Sequence, residues 1–179
     1  MRIGVLLGTF LASCVGAALA VAADCPAGCH APAGGRHPGL EKFKLLAGEW
    51  VGKGTFAGTD AGEAHVRYKV TAGGTAVVET EFPDTDHEMV TLIHADGDDL
   101  VLTHYCHLGN QPRMKAGKCD GDTVAFRFDG ATGLKSDKDA HMHDATYTFV
   151  DKDTFKTEWT LYRDGKPAGK AAFEYKRKK

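Results

Sequence analysis

The sequence contains little cysteine, no large excess of charge of either sign and, after its first 23 residues, no long apolar run. Five cysteines among 179 residues are too few for a small scaffold held together mainly by disulfides. The 22 basic and 24 acidic residues give a formal charge of −2, which excludes a large basic surface, so we expect no nucleic-acid partner. A hydrophobic content of 42% and a charged content of 26% are typical of one globular domain.

The first 23 residues differ in character from the rest of the chain. Arg2 precedes an apolar run that ends in small residues, and Ala20-Val-Ala22 matches the A-x-A cleavage pattern. This arrangement predicts a secretory signal peptide at 1–23 and a periplasmic or secreted protein. A retained membrane anchor is one alternative. A lipoprotein is another, because Leu11-Ala-Ser-Cys14 resembles a bacterial lipobox, and membrane association is expected only if Cys14 is lipidated.

Residues 24–37 are rich in Ala, Gly, Pro and Cys, which predicts a flexible tether before a domain at 38–179. Export would place the remaining cysteines in an oxidising compartment, where disulfides form. Three pairings are open to these four residues: Cys25, Cys29, Cys106 and Cys119. The run Cys25-Pro-Ala-Gly-Cys29-His30 also exceeds the C-x-x-C-H haem-attachment motif by one residue.

The domain opens with a predicted short helix at 38–48 and continues in segments whose apolar residues alternate with period two, as in Phe155, Thr157, Trp159 and Leu161. Turn-forming residues separate these segments. Strands are predicted near 49–57, 64–72, 75–82, 88–95, 99–107, 112–119, 122–129, 142–150, 154–162 and 168–176. Short spacings with tight turns indicate an antiparallel meander, and closing it would remove its exposed edges. We therefore predict an all-β, antiparallel up-and-down β-barrel of about ten strands with a short N-terminal helix, and a β-sandwich is the alternative.

Three segments resemble known families. A short helix followed by Gly48-Glu-Trp-Val-Gly-Lys-Gly54 resembles the G-x-W opening of lipocalin-like (calycin) barrels. The fuller pattern G-x-W-x-G-x-G is similar to the first strand of nitrobindin-type haem barrels. Residues 102–114 and the segment Asp139-Ala-His-Met-His-Asp144 resemble a family of exported bacterial lipocalin-like proteins of unknown function. These resemblances imply a barrel over most of residues 38–177 and carry no known activity.

Strand parity predicts which side chains face the barrel interior. His104 and Cys106 share a face with two leucines, and His141 and His143 share a face with aromatic residues. We therefore expect an apolar, aromatic interior with three histidines near one end. The predicted ligand-binding residues are His104, Tyr105, Cys106, His141, His143, Tyr147 and Trp159. Tyr105 lies on the face opposite His104 and is the least expected of them.

Three interpretations of this cluster are open. A mostly apolar pocket with a few polar groups suits a small hydrophobic or amphipathic molecule, which is the favoured function. The alternative is a haem or divalent-metal site formed by His104, His141 and His143. The third is a structural role in which the imidazoles bond to loops and water.

Catalytic motifs are absent from the sequence, which contains neither G-x-S-x-G nor H-E-x-x-H. An enzyme acting on a hydrophobic substrate is therefore the third functional hypothesis, and no catalytic residue is predicted. Glu79 and Glu81 lie on one strand face, where they are either an acid and base pair or simply solvated. Arg113 either binds a carboxylate or lies on the surface of a turn.

Overall fold

The computed structural model describes residues 37–119 and 121–179, which form one short helix and a closed antiparallel barrel of ten strands. Helix α1 spans Pro38–Lys44. The strands are β1 Gly48–Phe56, β2 Thr59–Thr71, β3 Ala76–Glu81, β4 Met89–Asp96, β5 Asp99–Tyr105, β6 Gln111–Ala116, β7 Thr123–Thr132, β8 His141–Asp151, β9 Thr154–Arg163 and β10 Lys166–Arg177. Each strand pairs with the next along the chain, and β10 pairs with β1 to close the barrel. The predicted up-and-down barrel is confirmed, and the β-sandwich alternative is wrong.

The strand boundaries differ most at the start of β2, which begins at Thr59 and not near residue 64. Residues 59–63 contain no apolar alternation, but the tight turn at Ala57 and Gly58 places them opposite the end of β1. Ala57 and Gly58 both have positive φ, at 50° and 82°. The pairing of a two-residue hairpin therefore extends β2 beyond what its side chains indicate.

The structure does not describe residues 1–36. These include the predicted signal peptide with Cys14, and most of the predicted tether with Cys25 and Cys29. His37, the last residue of that tether, is 8% exposed and caps α1, because its Nδ1 accepts a hydrogen bond from the Gly39 amide at 3.2 Å. The folded domain therefore includes His37. Among the described residues, no helix is long and apolar enough to span a membrane.

Helix α1 lies across one end of the barrel, which we call the closed end. It contacts β2, β3 and β4 on one side. On the other side, the fully buried ring of Phe43 meets Tyr147 and Phe149 of β8 at centroid distances of 4.9 and 5.3 Å. Pro38 suits the first turn because it needs no amide partner there. The helix therefore covers this end of the apolar core, which continues through the barrel interior to Trp159.

The G-x-W-x-G-x-G pattern of β1 has a packing role. Trp50 is fully buried, and its Nε1 donates to the Leu46 carbonyl at 2.7 Å. A Cβ atom at Gly52 would lie 2.5 Å from the Tyr175 ring, and one at Gly54 would lie 2.3 Å from the Phe173 ring. Both glycines therefore make space for aromatic rings of β10, which pairs with β1.

Two of the four cysteines that follow the predicted signal peptide, Cys106 and Cys119, lie among the described residues. Within the described residues, no disulfide joins Cys106 to Cys119. Cys119 lies against Gly39 of α1, and its thiol donates to the Gly117 carbonyl at 3.3 Å. The pairings that involve Cys25 or Cys29 fall outside the described residues.

Candidate functional site

A layer of polar side chains crosses the apolar interior, centred on Glu79 of β3. Glu79 is 1% exposed, and its Oε2 accepts a hydrogen bond of 2.7 Å from the Tyr147 hydroxyl. Tyr68, directly opposite Glu79 in the β2–β3 register, is 2% exposed. The Tyr68 hydroxyl lies beside Glu79 but makes no hydrogen bond of good geometry. Two tyrosines from different strands therefore converge on one buried carboxyl group.

A second carboxyl group follows on the same face of β3. Glu81 is half-buried and lies opposite Val66, which is fully buried, so its side chain is on the inner face. Burial raises the pKa of Glu79 from 4.5 to about 7, and the hydroxyls of Tyr147 and Tyr68 oppose this rise. Burial also raises the pKa of Glu81, and the neighbouring Glu79 charge raises it further. The barrel therefore holds two carboxyl groups that take up protons readily.

The described interior contains no cation to balance these carboxyl groups. The buried polar residues are His37, Glu79, Thr91, His104, Asn110, His141 and Thr157, and no described lysine or arginine is buried. His104 is the nearest basic group on the inner face of β5, and burial lowers its pKa from 6.5 to about 4. At neutral pH this imidazole is uncharged. The carboxyl pair therefore lacks a counter-charge from the protein.

Trp159 and His104 line the interior beside the carboxyl layer, and His104 lies in the same cross-strand row as Glu79. Their rings are tilted at 4.9 Å between centroids, and His104 Nδ1 is hydrogen-bonded to Thr91 Oγ1 at 2.8 Å. Trp159 is 3% exposed, and its Nε1–H has no hydrogen-bond partner. An unpaired buried donor costs free energy on the order of 1–3 kcal/mol, so it indicates a position for an acceptor.

Two aromatic rings meet at the end of the barrel opposite α1, which we call the far end. The rings of Phe82 and Phe173 lie 6.5 Å apart, although β3 and β10 are not neighbours in the sheet. Phe82 has a φ of 50°, which is unfavourable for a non-glycine residue. Phe82 follows Glu81 directly in the chain, at the end of β3.

The structure brings together three of the predicted site residues. His104, Tyr147 and Trp159 are buried on inner faces, and Trp159 contacts both of the other rings. Tyr105 is 48% exposed, in agreement with its opposite parity. Cys106 is half-buried just beyond β5, and burial raises the pKa of its thiol, which favours the protonated form.

The predicted orientation of His141 and His143 is wrong. A β-bulge between Met142 and Asp144 interrupts the alternation along β8. As a result His141 lies opposite Tyr162, while Met142 lies opposite the buried Leu161. The two histidines therefore contact Tyr162 and not the ring of Tyr147. No local sequence signal marked this bulge.

His141 and His143 form a hydrogen-bonded pair with defined tautomers. The Asp139 carbonyl can only accept, so His141 Nδ1 donates to it at 2.8 Å. In neutral His141 the Nε2 then accepts from His143 Nδ1 at 3.1 Å. His143 is stacked between Phe128 and Tyr162, at 4.5 and 3.7 Å. This order of donors leaves the lone pair of His143 Nε2 unused by the pair.

The histidine pair lines a cleft of about 390 Å³ beside the loop between β7 and β8. Pairing of these strands covers residues 123–126 and 145–148, so the strands separate before the cleft. The cleft is separate from the carboxyl layer, and it contains Leu134 and Phe128. Loss of hydration lowers the pKa of His143, which favours the neutral form of its ring.

The predicted three-histidine metal cluster does not form. In the part of the chain that the structure describes, no three His, Cys, Asp or Glu side chains are grouped to hold a metal ion. His104 is bound to Thr91, whereas His141 and His143 contact each other. The β8 bulge is the physical reason, because it turns the histidine pair away from the inner face.

Glu79 and Glu81 were not among the residues that the sequence predicted for the site. Parity placed Glu79 and Glu81 on one face, but two glutamates on a strand are more often solvated. The available signal was Val77, which shares their face and is fully buried. A valine on the same strand face as two glutamates indicates that this face, and with it the glutamates, points toward the interior.

Comparison with known proteins supports the fold and nothing more specific. No protein-family model and no curated protein matches the chain. Among solved structures, the chain is similar to a protein of unknown function from the DUF3598 family of Nostoc punctiforme, with a TM-score of 0.51 and 9% identity. The match covers 75% of this chain and 48% of that one, so the chain spans about half the length of this neighbour. At this identity the similarity concerns the fold alone.

Proposed function

We propose that the protein is an exported barrel that binds a small hydrophobic or amphipathic molecule between the carboxyl layer and the far end. The apolar body of the ligand would lie against the rings of Trp159 and Phe173. Its polar group would meet the side chains that the protein itself leaves without partners. Export through the predicted signal peptide at 1–23 belongs to the same proposal.

The unpartnered Nε1–H of Trp159 is the observation that carries this proposal. A purely structural tryptophan would bond its indole N–H to the protein, as Trp50 does to the Leu46 carbonyl. Trp159 instead buries this donor beside the ring of His104. A mostly apolar site with a few polar groups is the usual composition of a small-molecule site.

The test is titration with the neutral fluorescent dye 1-N-phenylnaphthylamine. We expect one saturable site, from which octanol displaces the dye. Ala171 lies opposite Trp159 in the β9–β10 register and is 7% exposed. Ala171→Leu should therefore weaken dye binding about tenfold or more, on the order of 1.4 kcal/mol, whereas Ala61→Leu at an exposed position should not. Absence of saturable binding in the wild-type protein would refute the proposal.

The haem or metal alternative now depends on one group, the Nε2 of His143. Its Nδ1–H donates to His141, and a metal-binding histidine normally has such a hydrogen bond on its other nitrogen. Titration with haemin would give a sharp Soret band at one equivalent, lost in His143→Ala and retained in His104→Gln, if this alternative holds. The absence of a specific Soret band in the wild-type protein would exclude haem binding. The third hypothesis, an enzyme acting on a hydrophobic substrate, gains no supporting observation.

A further inference from the structure

Two acidic groups without a basic partner set a chemical requirement on whatever enters the barrel. Glu79 and Glu81 are two residues apart on one strand face, so their Cβ atoms lie roughly 7 Å apart. Isolated buried carboxylates are strongly unfavourable, and no described lysine or arginine is buried near them. A cationic group would restore the balance of charge.

Tyr68 provides an independent indication at the same place. Its hydroxyl is buried beside Glu79 and makes no hydrogen bond of good geometry. A hydroxyl oxygen and a carboxylate are both acceptors. Together with Glu81, they offer three acceptor groups on adjacent strands, and a primary ammonium group has three N–H donors.

The aromatic surroundings also suit a cation. Tyr68, Tyr147, Tyr175 and Trp159 are buried on inner faces of four strands. The faces of such rings attract an ammonium group electrostatically. A carboxylate ligand, by contrast, would face the like charges of Glu79 and Glu81 with no buried cation in the described interior to hold it.

We propose that the ligand is a small primary amine with an apolar body, whose ammonium group is bound by Glu79, Glu81 and the Tyr68 hydroxyl. This inference rests on the proposed function, because it identifies the chemical class of the molecule bound in the barrel. The ammonium group enters as the missing counter-charge. Tyr147 keeps its hydrogen bond to Glu79 Oε2, which leaves the other oxygen of Glu79 for the ligand.

Isothermal titration calorimetry with octylamine, octanol and octanoate at pH 7.5 tests the inference. The three probes share one apolar chain and differ in the charge of the head group. We expect octylamine to bind at least tenfold more tightly than octanol and octanoate to bind most weakly. Proton release from the carboxyl pair should make the heat of octylamine binding depend on the ionisation enthalpy of the buffer. The titratable groups that face this pair are Tyr68, Tyr147, Tyr175, His104 and Cys106.

Charge-matched variants separate local from long-range effects. The double variant Glu79→Gln/Glu81→Gln should lose the preference for octylamine over octanol while still binding octanol. The control Glu63→Gln/Glu158→Gln removes two exposed carboxylates, whose side chains are 60% and 48% accessible, and should retain the preference. Circular dichroism would check that both double variants are folded. If the Glu79→Gln/Glu81→Gln variant unfolds, Glu81→Gln alone should reduce the preference for octylamine over octanol at least threefold.

The contrary outcomes distinguish the two proposals. Equal binding of octylamine and octanol, or tighter binding of octanoate, would overturn the amine inference and leave the barrel as a ligand-binding protein. Binding of 1-N-phenylnaphthylamine without binding of octylamine would also overturn it. Binding of neither the dye nor any octyl probe would refute the proposed function itself.

Discussion

Replacing Glu79 with glutamine should change how the stability of the barrel depends on pH. The pKa of Glu79 is raised by burial from 4.5 to about 7. Below pH 4.5 the carboxyl is protonated in both folded and unfolded states, and the substitution should have little effect. As pH rises from 4.5 to 7, the unfolded chain ionises first, so the folded state loses about 3 kcal/mol relative to the unfolded one. Glutamine has no such loss and keeps an acceptor for the Tyr147 hydroxyl.

Urea unfolding followed by tryptophan fluorescence at pH 4, 6 and 8 measures this effect. We expect the free energy of unfolding of Glu79→Gln, relative to wild type, to rise by about 3 kcal/mol between pH 4 and pH 8. Loss of the Glu79 charge also lowers the pKa of Glu81, which acts in the same direction. Glu63→Gln, at an exposed position, controls for a general charge effect. A pH-independent difference, or one that falls with pH, would refute the reasoning.

Three further substitutions or measurements test the fold and the cleft. Gly52→Ala should destabilise the barrel by about 1–3 kcal/mol in urea unfolding, because the added Cβ atom would overlap the Tyr175 ring. The control is Gly117→Ala, whose added Cβ atom would have no neighbour within 4 Å, so its stability should change little. Phe43→Ala should lower the unfolding free energy by about 3–5 kcal/mol, because this fully buried ring closes the barrel end; a loss below 1 kcal/mol would contradict that role. His143 should titrate below 6.5 in an NMR pH series, because loss of hydration lowers its pKa, and a value above 6.5 would contradict the described cleft.

The architecture was predictable because barrel strands repeat a simple pattern. On β9 the residues Phe155, Thr157, Trp159 and Leu161 alternate without interruption, and all four are buried as parity predicts. The tight turns between strands left short connections, so consecutive strands had to pair with each other. Closure of the barrel followed from the number of strands and the need to pair the edges.

The site was predictable only where the alternation was regular. His104 on β5 and Tyr147 and Trp159 on β8 and β9 came to the inner face, as expected from parity. His141 and His143 did not, because a single inserted residue in β8 reverses the alternation and depends on strand pairing that a single sequence does not display. The contact of Glu79 with Tyr68 likewise depends on strand pairing, because the β2–β3 register places them opposite each other.

The two tryptophans of the chain provide the most direct test of ligand binding in the barrel. Trp159 Nε1–H is buried without a partner, whereas Trp50 Nε1–H donates to the Leu46 carbonyl at the closed end. In a ¹H–¹⁵N spectrum of the protein titrated with octanol, the Trp159 indole resonance should shift and saturate while the Trp50 resonance stays in place. An unmoved Trp159 resonance at saturating octanol, or a shift of Trp50 alone, would contradict binding between the carboxyl layer and the far end.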